Sequence, residues 1–312
     1  MGFARLSMTG FTVCLLSASL AFGAGPDLRL LGAAQSDDAA AVSTLLAAGH
    51  SANARAADGS TALHWAVQNG DLAMAEALLR KGAKVNAVTD LGVTPLWIAA
   101  ANSETAMVKR LLQAGADAHL ASPTGVTPLM IAAQRGDEGA VSALLAHGAD
   151  PNAKETTHGQ TALMWAVSGR HPDVVKRLLD AHADVRARTR SWKQRVLLGC
   201  QYYEGEVDSA AVVVMGGYTP LLFAAQDGDA QSARLLLAAG ADAKDAAPDG
   251  TSALVIAAHA GRADVGAVLL DAGADPNDAR AGYTALHVAA TSGDLALVKA
   301  LLDHGADPNA RQ

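Results

Sequence analysis

The chain repeats one pattern at an almost constant interval, and this repetition constrains its fold more than any other feature. A threonine, replaced once by serine, recurs with spacings of 33, 33, 34, 58, 33 and 32 residues. These residues are Thr61, Thr94, Thr127, Thr161, Thr219, Ser252 and Thr284. A glycine lies two residues before each one, a leucine two residues after it and an alanine five residues after it. A period of this length predicts stacked structural repeats.

Each unit carries the start and stop signals of two helices. The threonine hydroxyl can accept an N–H at a helix start, and the proline or alanine that follows suits the first turn. A second helix begins after Gly-Asp, as at Gly70-Asp71, where the aspartate complements the helix dipole. A leucine pair then precedes a closing glycine, whose left-handed conformation ends the helix. Each unit therefore predicts a helix–turn–helix followed by a connecting turn.

The chain resembles the ankyrin repeat family in its most regular strings. These are TALHWAV (61–67), TPLWIAA (94–100), TPLMIAA (127–133) and TALHVAA (284–290), with closing GADPNA segments at 148–153 and 305–310. The resemblance covers 28–312 apart from one insertion. It implies a mainly α fold, an α-solenoid of about eight ankyrin repeats whose helix–turn–helix units carry β-hairpin fingers. The strings GQTALMWAV and GYTPLLFAA are also similar to those of secreted bacterial ankyrin-repeat proteins.

The register divides 26–312 into repeats and marks two departures from the pattern. The repeats are expected near 28–57, 61–90, 94–123, 127–157, 161–188, 219–248, 252–280 and 284–312. His182 replaces the closing glycine of its unit, at a position that favours positive φ. The last outer helix is as apolar as the interior ones, although a solenoid needs a polar terminal face. Gly169 lies outside the glycine register, so we expect it to accept a side chain more readily than Gly148.

The first 25 residues have the pattern of a secretory signal peptide. Arg5 is the only charge before an apolar run from Phe11 to Phe22, and small residues follow this run. The run is shorter than the ~20 apolar residues of a membrane span, so no stable span is expected after cleavage. The mature protein, which contains the ankyrin-like region 26–312, is therefore expected to be periplasmic or secreted. The alternative interpretation is a buried N-terminal helix.

The spacing of 58 contains 25 extra residues, which lie within 187–216. The start of this segment is basic, and two β-prone pieces, RVLL and AVVVM, favour an extended hairpin. Insertions in solenoids sit on one face, often the binding face. We expect Trp192, Tyr202 and Tyr203 to contact a protein partner, because aromatic residues are enriched in interaction hot spots. The alternative is a surface loop without function, since long loops cost little stability.

The resemblance to ankyrin proteins also implies a binding face, the concave groove lined by finger tips and by the exposed ends of the first helices. The finger position just before the threonine is held by Ser60, Val93, Val126, Gln160, Tyr218, Thr251 and Tyr283. Of these, Tyr218 and Tyr283 are the candidate binding residues. The helix positions seven and eight residues after the threonine add Gln68, Asn69, Asn102, Gln134, Arg135, Gln226 and Asp227. Such side chains supply adaptable hydrogen bonds and rigid aromatic contacts.

The sequence contains no recognisable catalytic or cofactor motif. It has no G-x-x-x-x-G-K-[ST], no G-x-S-x-G and no H-E-x-x-H, so no cofactor and no metal are expected. A net charge of −7 argues against nucleic acid as the partner, because phosphate binding needs a basic face. The sequence predicts a non-enzymatic scaffold that binds a protein. Two alternatives remain open: a module of a larger assembly, and an enzyme that uses Cys200.

Export is directly testable. We expect the protein purified from its cells to begin near residue 22 or 24, because small residues at Ala21 and Gly23 suit signal-peptide cleavage. N-terminal sequencing of the periplasmic or secreted fraction measures this. A cytosolic protein that still begins at Met1 or Gly2 would contradict the prediction.

Overall fold

The computed structural model describes residues 28–197 and 210–310, and this part of the chain contains eight helix pairs and one hairpin. The first helices of the pairs are called inner helices. They are α1 (Leu28–Gln35), α3 (Ala62–Gln68), α5 (Pro95–Ala101), α7 (Pro128–Arg135), α9 (Ala162–Ser168), α11 (Pro220–Asp227), α13 (Ala253–His259) and α15 (Ala285–Ser292). The second helices are called outer helices. They are α2 (Ala39–Ala47), α4 (Leu72–Arg80), α6 (Thr105–Gln113), α8 (Glu138–Ala146), α10 (Pro172–Asp180), α12 (Ala230–Ala238), α14 (Ala263–Asp271) and α16 (Leu295–Asp303). The strands are β1 (Ser191–Leu197) and β2 (Ala210–Gly216).

The helices stack in two parallel rows, which gives the α-solenoid that the repeat pattern predicts. Every inner helix packs on the next inner helix, and every outer helix packs on the next outer one. The alanine five residues after the threonine is fully buried in all seven copies, namely Ala66, Ala99, Ala132, Ala166, Ala224, Ala257 and Ala289. Its small side chain allows neighbouring inner helices to approach closely. The resulting apolar core is continuous from Leu30 to Ala306.

The recurring threonine caps the inner helix, as its hydroxyl suggests. The Oγ1 of Thr94 accepts the backbone N–H of Trp97 at 3.1 Å, and that of Thr127 accepts the N–H of Met130 at 3.2 Å. Five of the eight described outer helices are capped in the same way by aspartate, for example α4, where the carboxylate of Asp71 accepts the N–H of Met74 at 2.9 Å. Each such cap satisfies an N–H that the helix leaves unpaired, and its removal costs about 1 kcal/mol.

His64 adds a second bond to this arrangement in the second repeat and connects two repeats. Its Nδ1 accepts the backbone N–H of Thr61 at 3.1 Å, and its Nε2 lies 3.2 Å from the carbonyl oxygen of Val93. These contacts require the neutral ring that carries its proton on Nε2. Burial lowers the pKa of His64 from its usual 6.5 to about 4.

The position that follows each outer helix recurs in every repeat and requires a positive φ. Gly148 ends α8 at φ +86°, and His182 occupies the corresponding place after α10 at φ +63°. The histidine therefore adopts a backbone conformation that costs an L-residue free energy. Gly169 has an ordinary φ of −75°, yet a side chain there would meet His171 at 2.6 Å and the carbonyl oxygen of Gln134 at 2.9 Å. A side chain at Gly169 is therefore constrained by packing and at Gly148 by φ, and the expectation that Gly169 accepts a side chain more readily than Gly148 stays a prediction.

Asparagine side chains join successive repeats on the side of the connecting turns. The amide of Asn53 donates to the carbonyl of Gly82 at 2.9 Å, while its Oδ1 accepts the N–H of Lys84 at 2.7 Å. Asn86, Asn152 and Asn277 repeat this pair of bonds to their next repeats. The asparagine of the closing G-A-D-x-N string is thus a connection between repeats.

We expect His182→Gly to stabilise the protein. Glycine adopts φ +63° without the steric cost that histidine bears, so the free energy of unfolding should rise by about 1 kcal/mol. Urea denaturation followed by circular dichroism measures the change, with His182→Ala as a control that keeps a Cβ and should show no such gain. A His182→Gly protein that unfolds at the same or a lower urea concentration would contradict this interpretation.

We also expect acid to destabilise the protein through His64. Its pKa is about 4 in the folded protein and 6.5 when exposed, so the unfolded state takes up a proton that the folded state does not. The stabilisation from the neutral ring is therefore complete above pH 6.5 and is lost as the pH falls toward 4. The loss between pH 7 and pH 5 should be about 2 kcal/mol.

The matched variant is His64→Met, because methionine holds the same register position at Met130 and Met164. Urea denaturation at pH 7 and pH 5 should show a smaller loss for this variant than for the natural protein. Equal losses would show that His64 is not the group responsible.

Candidate protein-binding surface

The fingers are the turns between repeats, numbered here by the repeat that precedes them, and the insertion lies in finger five. At the base of this finger, the N–H of Thr189 donates to the carbonyl of Tyr218 at 3.0 Å. The N–H of Tyr218 donates to the Oγ1 of Thr189 at 2.9 Å. Thr89 and Val93 make the same two bonds in finger two, at 3.0 and 3.1 Å. The insertion therefore extends the tip of an ordinary finger, and the extra residues are 192–216.

The insertion forms an antiparallel hairpin from β1 and β2. Ser191 pairs with Gly216 at its base, and Leu197 pairs with Ala210 at the far end of the described strands. The side chain of Trp192 is exposed to 38%, and its ring centroid lies 6.3 Å from that of His158 in finger four. The other two aromatic candidates, Tyr202 and Tyr203, lie outside the described residues, as does Cys200.

The basic residues just before the insertion connect finger five to its neighbours. Arg188 pairs with the carboxylate of Asp245 in finger six and donates to the carbonyl of Gly217 at 2.8 Å. Arg190 donates through its guanidinium to the carbonyl of Thr156 in finger four. Arg186 donates to the carbonyl of Gly240 at 3.3 Å. In other repeats an asparagine donates to the carbonyl at this register position. The three arginine side chains hold the base of the hairpin on both sides.

The position just before the threonine lies at the base of each finger. Ser60, Val126, Gln160 and Thr251 are buried there, so the expectation that this register position marks exposed fingers is wrong for them. The reason is that the backbone at this position closes the base of the finger, as the carbonyl of Gln160 does by accepting the N–H of Glu155 at 3.0 Å. Among the described copies, the two tyrosines and Val93 are half-buried.

Tyr218 and Tyr283 each pack edge-on against another ring of the inner row. The ring centroid of Tyr218 lies 5.8 Å from that of Phe223, and that of Tyr283 lies 5.5 Å from that of His259. Burial raises the pKa of both phenols, and the carboxylate of Asp249 acts in the same direction. Both phenols are therefore neutral at physiological pH and can donate a hydrogen bond, while ring packing limits their motion.

The polar candidates lie along the ends of α3, α5, α7 and α11, and some of them connect repeats. The amide of Asn69 donates to the carbonyl of Ala34 at 3.0 Å, and that of Asn102 donates to the carbonyl of Gln68 at 3.4 Å. Arg135 is exposed, whereas Gln68, Gln134, Gln226 and Asp227 are half-buried. The structure thus arranges the candidates as a stripe along the inner helices, and it does not gather them into one cluster.

Within 28–197 and 210–310, no group of three or more histidine, cysteine, aspartate or glutamate side chains is arranged to hold a metal ion. None of the helices in these ranges combines the length and the apolar character needed to cross a membrane.

Comparison with known proteins agrees with this architecture. A family model described as ankyrin repeats in three copies matches 30–122, 100–189, 197–280 and 221–312. No curated protein matches the chain. Among solved structures, the crystal structure of the human ASB11 ankyrin repeat domain is 31% identical, with a TM-score of 0.61, and the match covers 79% of this chain and 98% of that one. The chain belongs to the ankyrin repeat family.

Proposed function

We propose that the chain is an exported scaffold that binds a protein partner through its concave groove, its fingers and the hairpin of finger five. Ankyrin repeats indicate a protein-binding scaffold. The observation that carries the finer proposal is the position of the hairpin. It extends from a finger whose base keeps the hydrogen bonds of an ordinary finger, while α9 still packs on α11 beneath it.

The residues around the hairpin base support a role in presentation. Arg188 and Arg190 bind the neighbouring fingers, so the hairpin leaves the solenoid from a defined position. Restricting the motion of a binding element reduces the entropy lost on association. Trp192 is a large, partly exposed side chain at this base, of a type enriched in hot spots.

The leader supports export as part of the proposal. An apolar run after one basic residue, followed by small residues, is the signature of a secretory signal peptide. Cleavage would leave Cys200 as the single cysteine, which suits an oxidising compartment. The similarity of two strings to secreted bacterial ankyrin-repeat proteins points in the same direction.

A second candidate function is that of an interaction module within a larger assembly. Leu295 is 79% exposed and Leu302 is 45% exposed on α16, the last outer helix of the described chain. Exposed apolar residues on one helix are typical of a contact surface. The enzymatic alternative has less support, because ankyrin repeat domains are typically non-enzymatic interaction modules.

Deleting 192–216 should leave a folded protein that binds its partner poorly. The deletion restores the usual spacing of 33 between Thr161 and Thr219 and keeps the base bonds of Thr189 and Tyr218. Because solenoid stability comes from repeats and their interfaces, the melting temperature should change by only a few degrees. Affinity capture from an envelope extract with the intact chain identifies the partner, and titration then compares the two proteins. We expect the dissociation constant to rise about tenfold or more.

A point variant separates loss of contact from loss of structure. Trp192→Ser removes the exposed ring without shortening the chain and should lower the affinity for the same partner. A deletion protein that binds as tightly as the intact chain would assign binding to the groove alone. One that fails to fold would show that the hairpin packs as part of the core.

A further inference from the structure

A small apolar pocket lies between fingers one and two, on the half of the solenoid opposite to the hairpin. Its volume is about 150 Å³, and its lining is mostly apolar. The lining residues come from the two fingers and from α3 and α5: Asp58, His64, Trp65, Gln68, Thr89, Leu91, Val93 and Ile98. An apolar cavity of about this size accommodates a benzene molecule, so the pocket suits one large apolar side chain.

Leu91 gives this pocket an exposed apolar wall. Its side chain is 72% exposed at the tip of finger two. Finger tips elsewhere in the described chain present polar or small residues at comparable places, such as Thr124 and Asp249. A leucine this exposed gains free energy when another apolar group covers it, at about 25 cal/mol per Å² of buried apolar area.

Two polar atoms of the pocket-lining side chains also lack partners. The Nε1 of Trp65 and the Oε1 of Gln68 are buried, and no protein group in the described chain bonds them. The equivalent tryptophan of the fifth repeat, Trp165, donates to the Oε1 of Gln160 at 3.0 Å. Ser60 occupies the register position of Gln160 in the second repeat, and its Oγ also lacks a partner. A buried polar group without a partner is costly, so a ligand that supplies one gains affinity.

The charge at the pocket favours a cation beside the apolar group. Asp58 is the one acidic residue of the lining, and burial keeps His64 neutral because its pKa is about 4. The nearby Arg55 donates to the carbonyl of Val88 at 2.9 Å and lies 3.9 Å from Asp90. Within the described chain, no basic side chain forms an ion pair with Asp58.

We infer that this pocket binds an extended segment of a protein partner that carries a leucine- or phenylalanine-sized side chain next to a lysine or arginine. The apolar side chain fills the pocket against Leu91, Val93 and Ile98, and the basic group pairs with Asp58. Backbone groups of the segment bond Trp65 and Gln68 after small side-chain adjustments of the kind that interfaces commonly show. This inference rests on the proposed function and assigns part of the groove a defined ligand chemistry.

The test uses a library of random peptides displayed on phage, selected against the intact chain. We expect the selected peptides to share an apolar residue next to lysine or arginine. Synthetic copies should bind Leu91→Ala about tenfold more weakly and Asp58→Asn several-fold more weakly, with reduced salt dependence for the second variant. The Asp58→Asn change keeps an oxygen for the N–H of Ser60, which donates to Oδ1 at 2.9 Å.

Gln113→Ala is the control, because it truncates an exposed uncharged side chain at the end of the outer helix α6, outside the pocket, and should bind like the intact chain. Peptides that bind Leu91→Ala undiminished, and lose affinity when 192–216 is deleted, would overturn this inference while leaving the proposed function intact. A selection that yields no binding peptide, together with failure to capture any partner, would contradict both.

Discussion

The structure depends on the close approach of neighbouring inner helices. An alanine at one fixed register position is fully buried in all seven copies from Ala66 to Ala289, and a larger side chain there would separate the stacked helices. Every other recurring feature serves this stacking. The threonine starts the inner helix in the correct place, the closing glycine ends the outer helix, and the asparagine of the connecting turn bonds the next repeat. The fold is therefore a sum of local interfaces, which explains its length without a single globular core.

This local construction also explains how a long insertion is accommodated. The hairpin leaves from the tip of finger five, where only the bonds between Thr189 and Tyr218 are needed to close the base. Below it, α9 packs on α11 and α10 packs on α12 as in other repeats. The arginines just before the insertion bind fingers four and six, so the basic character of this segment has a structural cause.

The sequence was sufficient for the fold and insufficient for the site. Residue spacing predicted the solenoid because each repeated residue has one local physical task, such as capping by Thr94 or a left-handed turn at Gly148. It could not reveal that a side chain at Gly169 would meet the carbonyl oxygen of Gln134, since that contact comes from the preceding repeat. It also placed the residue before the threonine at an exposed finger, whereas Ser60 and Gln160 are buried at the base.

The pocket depends on a difference between repeats that the register alone does not show. Trp65 and Trp165 hold the same register position and read alike in sequence, yet only Trp165 finds a partner, in Gln160. The difference depends on one finger residue five positions earlier, Ser60 in one repeat and Gln160 in the other. The exposed Leu91 was the available sequence signal, because a leucine at a finger tip has no task in the repeat.

We expect a partner to bind the side of the solenoid that carries the fingers and the inner helices. Hydrogen–deuterium exchange of the intact chain, measured with and without the partner captured from an envelope extract, tests this most directly. We expect added protection in the fingers and at the ends of α3, α5, α7 and α11, with the outer helices unchanged. Protection confined to outer helices such as α4, α6 and α8 would contradict it, because it would place the partner on the opposite side of the solenoid.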